Sequence, residues 1–141
     1  MLMVLSGCKE NIEKKIGSKG RDCKNNKNCE IVIMQLTNFK WEKMFFFDSS
    51  ANLEVINKAL GLDYSDYYKG YTRTIIFLNG NKIVHYENNR ADAESVIDGQ
   101  VIFDYPDSLK SQVYTPKNAK FRITSKTFGD KAYYQLTFSP N

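Results

Sequence analysis

The sequence predicts an α+β fold: one domain with a mainly antiparallel sheet of about six strands and one principal helix. Three observations carry that expectation. Asn79-Gly80 sits between two apolar arms and is the strongest short hairpin signal in the chain. Leu53, Ile56 and Leu60 fall at i, i+3 and i+7, on one face of a helix. Ala132, Tyr134, Leu136 and Phe138 alternate with Tyr133, Gln135 and Thr137, the period of a half-buried strand.

Taken in order, Glu30 to Leu36 reads as a strand through Ile31, Val32, Ile33 and Met34. Met44-Phe45-Phe46-Phe47 reads as a second, ending at Asp48-Ser49-Ser50, which are turn and N-cap residues. The helix through Leu53 to Leu60 has Glu54 in its first turn, where the dipole favours it, and Gly61 placed to terminate it. Asp63 to Gly70 is a loop. Thr72 to Leu78 and Lys82 to Glu87 are the hairpin arms, and the apolar run Ile75-Ile76-Phe77-Leu78 implies a central strand covered on one side by the helix. Residues 88–99 are polar. Gln100 to Tyr105 is a strand that Pro106 ends. Lys120 to Thr127 and Ala132 to Phe138 close the chain as a hairpin around Phe128-Gly129-Asp130.

The N-terminus carries the most specific motif. Leu5-Ser6-Gly7-Cys8 resembles the lipobox of bacterial lipoproteins, in which the chain is cut before the Cys and the thiol carries diacylglycerol. The resemblance implies residues 1–7 as the end of a signal peptide, Cys8 as the lipidated residue, and residues 8–28 as a basic flexible tether, with the globular domain over 29–141. Signal peptides have a basic start and about 7–15 apolar residues. Only five apolar residues precede Ser6 here, so the expectation includes a start further upstream. The alternative is that residues 1–8 are a short buried strand with an ordinary cysteine. Lys9, rather than Asp, follows the Cys, and in Gram-negative sorting that implies the periplasmic face of the outer membrane.

Charge agrees with a tether. The formal net charge is +4, and residues 9–29 hold seven basic and three acidic side chains, which is the whole excess. Residues near anionic headgroups gain about 1 kcal/mol per Lys or Arg; a solubilising linker explains the same pattern. The remaining chain is neutral, so no nucleic-acid face is expected.

Of three cysteines, Cys23 and Cys29 remain after Cys8, and five polar residues separate them. A structural disulfide is the preferred reading. Zinc would need four ligands, and a redox pair would prefer two intervening residues. No metal and no cofactor is expected.

Two further likenesses concern the middle of the chain. Phe39-Lys40-Trp41-Glu42-Lys43, Ile56 to Gly61 and the Ile75 to Val84 hairpin resemble a pattern in uncharacterised small bacterial envelope proteins, which brings no established activity. Glu54-Val55 through Leu60-Gly61 and Phe77 through Val84 are similar in outline to the BamE/SmpA outer-membrane lipoproteins, which place a helix ending in Leu-Gly before a hairpin. Two strand-like runs precede the helix here, and the two-helix opening of that family is missing.

Candidate chemistry is sparse. His85 is the only histidine, on a strand and with no Gly-x-Ser-x-Gly elbow in the chain. Asp63 with Asp66, and Asp104 with Asp107, are the carboxylate pairs available to a hydrolase of envelope glycan or lipid. The preferred functional surface is Tyr64, Tyr67, Tyr68 and Tyr71 in the 63–71 loop, because tyrosine offers large contact area with a polar tip. The alternative is that these rings cap the core. Trp41 is expected in the core or over the sheet end. The expectation is therefore a non-enzymatic envelope lipoprotein that binds another envelope or secreted protein. An inhibitor or immunity protein, or an accessory subunit of an envelope assembly, fits it.

Overall fold

The computed structural model describes residues 11–23, 28–104 and 112–139. Cys8, Lys9 and Asp107 lie outside the described residues. The described residues form a single α+β domain of two helices and eight strands. In order these are α1 (Ile12–Asp22), β1 (Glu30–Val32), β2 (Lys43–Phe47), α2 (Leu53–Leu60), β3 (Thr72–Asn79), β4 (Lys82–Arg90), β5 (Val101–Asp104), β6 (Gln112–Tyr114), β7 (Lys120–Phe128) and β8 (Lys131–Phe138).

The strands make two four-stranded sheets, ordered β1-β7-β8-β5 and β4-β3-β2-β6, in place of one sheet of about six. All pairings are antiparallel except β5 with β8. The predicted strand from Glu30 stops at Val32, and Ile33–Leu36 form a 3-10 turn.

The unbroken apolar runs in β2 and β3 follow from burial on both faces. Met44, Phe46, Ile75 and Phe77 face the other sheet, where Phe46 meets Phe103 at 4.4 Å between ring centres. Phe45, Phe47, Ile76 and Leu78 point the other way and pack under Ile56 and Leu60 of α2. The helix covers β3 as its sequence implied. Its N-cap is Asn52, whose Oδ1 accepts from the Val55 N–H at 2.9 Å, not the Asp48-Ser49-Ser50 turn before it. Gly61 ends it with φ 73°, in the left-handed region that glycine enters without a Cβ penalty. Trp41 is core, edge-on to Phe77, with its Nε1–H donating to Thr37 Oγ1 at 3.1 Å.

The largest correction concerns residues 8–28. Residues 12–22 are a helix within the domain, not a flexible tether, and the domain does not begin at Cys29. Asn11 caps α1 by accepting from the Lys14 N–H at 2.8 Å. Ile12 and Ile16 are fully buried in the core shared by the two sheets. Burying each is worth about 1.5–3 kcal/mol. Gly17 and Gly20 are buried on the same helix, and the Tyr134 ring lies against them. A Cβ at Gly20 would stand 2.5 Å from Tyr134 Cδ1, so the close approach demands glycine despite its poor helix propensity.

Cys23 and Cys29 form a disulfide with Cα atoms 5.7 Å apart. It links the end of α1 to the start of β1, closing a short loop worth about 2 kcal/mol in the chain-entropy model. Among the described residues no helix is long and apolar enough to cross a membrane.

Candidate functional site

Arg73, His85 and Glu87, three of the buried polar residues, collect where α1 meets β3, β4 and β5. His85 and Glu87 are two apart on β4, so they share a face. His85 is 9% exposed, stacks on Phe39, and places Nε2 2.8 Å from Glu87 Oε2. The Glu87 carboxylate also accepts from the backbone N–H groups of Ile12 and Glu13, at the N-terminus of α1. A negative group there satisfies orphan donors and complements the helix dipole.

One residue on, Glu13 pairs with the guanidinium of Arg73 on β3 and accepts from the Val101 N–H at 3.0 Å. Arg73 also donates to the carbonyls of Val101 (3.0 Å) and Arg90 (2.7 Å). This clasp ties α1 to three strands. Its work is structural, and it occupies the only histidine of the chain. Sequence reading missed it, although an arginine inside an otherwise apolar strand requires a buried partner.

The Tyr loop shares a cleft with the first turn of α1. Asn57 of α2 accepts from the Tyr64 N–H at 2.7 Å, and the Tyr67 and Tyr68 N–H groups donate to the Tyr64 carbonyl. Asn88 of β4 donates to the Tyr67 carbonyl at 2.8 Å. The loop is therefore held at both ends. Asp63 accepts from the Ser65 N–H at 2.9 Å, and hydrogen bonds to Ser65 hold its carboxyl below the usual carboxylate range. The sign follows from linkage: a lowered folded pKa contributes stability above the ordinary value of 3.8 and loses it as pH falls through the lower folded value. Acid should therefore loosen this loop. Amide exchange at Ser65 is expected to speed up below that pH in the parent chain, beyond the intrinsic rate, and to show no such transition in Asp63→Asn.

The structure divides the four predicted tyrosines. Tyr64 is fully buried, its hydroxyl donating to Asn88 Oδ1 at 3.0 Å, and burial pushes its ionisation far up. It is a core residue, not a contact surface. Tyr68 is half-buried. Tyr67 is 40% exposed and leans on Tyr86 with ring centres 4.6 Å apart. Tyr71 is 84% exposed and has φ 57°, the only non-glycine residue with positive φ among the described residues. That conformation costs about 1–2 kcal/mol for a side chain with a Cβ.

Tyr67 and Tyr68 line a cleft of about 530 Å³. Its walls come from the first turn of α1 (Asn11 and Lys14), the loop from Asp66 to Lys69, and β4 from Tyr86 to Asn89. Tyr71 is not among the lining residues. The predicted carboxylate pair separates: Asp63 serves the loop, while Asp66 reaches the cleft. Asp104 ends β5, and its proposed mate Asp107 lies outside the described residues. Among the described residues no three His, Cys, Asp or Glu side chains converge as a metal site.

Tyr67 and Tyr71 thus remain as exposed aromatic contact area, and the cleft between α1, the loop and β4 as the concave site. Comparison of the chain with family models, with curated proteins and with solved structures found no match.

Proposed function

We propose that this chain is a membrane-anchored envelope lipoprotein that acts by binding another envelope or secreted protein, without catalysing a reaction. Cys8 carries the anchor, within Leu5-Ser6-Gly7-Cys8. The Cys23–Cys29 disulfide suits an oxidising compartment outside the cytoplasm.

The observation that carries the binding role is Tyr71. A large aromatic side chain held in solvent on a strained backbone does nothing for the core, and it stands four residues from the half-exposed Tyr67. Strained backbone of this kind clusters at functional sites. Engagement of His85 and Glu87 in the clasp favours binding over nucleophilic chemistry. The most concrete form is an inhibitor or immunity protein that shields the envelope from a toxin or hydrolase.

The bait for a test is the whole chain carrying Cys8→Ser, because a fragment starting at Cys23 would lose α1 and part of the core. Affinity capture from envelope extract should recover one stoichiometric partner. The partner should be lost with Tyr67→Ala/Tyr71→Ala, while the variant still melts cooperatively as a folded domain. Equal capture by the double variant would move the partner surface elsewhere, and an empty eluate would count against binding altogether. The anchor is read separately, as radiolabelled palmitate on the parent chain and none on Cys8→Ser, in cells supplying any upstream start.

A further inference from the structure

Cys8 stands three positions before Asn11, and Asn11 both caps α1 and lines the cleft. An extended chain covers at most about 3.5 Å per residue, so the three-residue spacing keeps the Cys8 Cα within about 10 Å of the Asn11 Cα. With α1 fixed in the core, an acyl group on Cys8 brings this face of the domain to the level of the lipid headgroups. Tyrosine and lysine are the residue types that settle at that level.

The polar groups of the cleft are of two kinds. Lys14 and Lys69 line it, and neither ammonium has an ion-pair partner among the described residues. Asp66 lies beside Tyr67 and Tyr68 on the same loop, likewise without an ion-pair partner among the described residues. Glu87 is excluded as a ligand group, since it already accepts from Ile12, Glu13 and His85. What remains is a pair of cations next to one anion flanked by aromatic rings. We propose that this cleft binds the phosphoethanolamine headgroup of a phospholipid in the membrane that holds Cys8.

The phosphate meets Lys14 and Lys69. The ammonium, two carbons away, meets Asp66 and the faces of Tyr67 and Tyr68, which attract cations through the ring quadrupole. The volume is within the range of small-ligand clefts, about 300–1,000 Å³. The inference relies on the proposed anchor to bring the lipid close, and it shares Tyr67, but not Tyr71, with the proposed partner surface.

The test uses the isotope-labelled whole chain with Cys8→Ser, titrated with glycerophosphoethanolamine, glycerophosphoglycerol or inorganic phosphate. Glycerophosphoethanolamine should shift the amide signals of Tyr67, Tyr68 and Lys69, with affinity about tenfold above that for inorganic phosphate, a difference well resolved by titration. Lys69→Glu should abolish the shifts. Asp66→Asn should remove the preference for the amine-bearing headgroup over glycerophosphoglycerol. Both positions are exposed, so the rest of the spectrum should be unchanged. In flotation, the same chain should rise with phosphatidylglycerol vesicles only when they contain phosphatidylethanolamine. Inorganic phosphate binding as tightly, or no shift at the cleft, overturns the site. Palmitate on Cys8 with no headgroup binding overturns this inference and leaves the anchored reading standing. Headgroup binding by a chain that never takes up palmitate supports the site and removes the anchor.

Discussion

Glu13→Ala lowers the unfolding free energy by about 3–5 kcal/mol, because it strands a buried guanidinium. The Glu13 and Arg73 side chains are 14% and 8% exposed, so solvent cannot replace the lost partner. Two carbonyls would remain for Arg73, but no ion-pair partner among the described residues. The Val101 N–H would lose its acceptor as well. Urea unfolding should show a lower midpoint with an unchanged slope. Glu13→Ala/Arg73→Met should cost far less than the two single changes added together, because the pair is removed with its desolvation cost. A loss below about 1 kcal/mol for Glu13→Ala is what an exposed ion pair would give, and it would contradict the clasp.

Ile16→Ala should cost about 2–5 kcal/mol, the range for emptying a fully buried aliphatic site. A solvated leader would show no change at all, so this variant measures whether residues 11–23 belong to the folded unit. Gly20→Ala gives a companion result of diagnostic sign. Helix propensity alone predicts a gain of about 1 kcal/mol. The Tyr134 ring at 2.5 Å predicts a loss of about 1–3 kcal/mol instead. Thermal melts of both variants against the parent chain decide it.

The misreading of α1 has a physical origin. Between Ile12 and Asp22 there are two isoleucines, two glycines and six charged residues, which is the composition of a linker. Its apolar stripe is one residue wide. Glycine is read as a breaker when only local propensity is weighed. Here it is the smooth surface on which Tyr134 lies, and that ring arrives from more than a hundred positions away. The tyrosine loop illustrates a related point. Tyr64, Tyr67, Tyr68 and Tyr71 are alike in composition, and only the fold sorts them. The Asn57 hydrogen bond turns Tyr64 inward under β4, and the entry into β3 turns Tyr71 outward.

Local chemistry alone determined much of the frame. The Asn79-Gly80 turn, the helix from Leu53 to Gly61 and the final hairpin depend on interactions within a few residues, and all three stand at their expected places. The division into two sheets, the burial of a charged helix and the assembly of the cleft came only with the tertiary structure. Glu87 reaches Ile12 across 75 positions and Glu13 reaches Arg73 across 60. Pairings at that range depend on which faces the closed core leaves dry, and no local period records them.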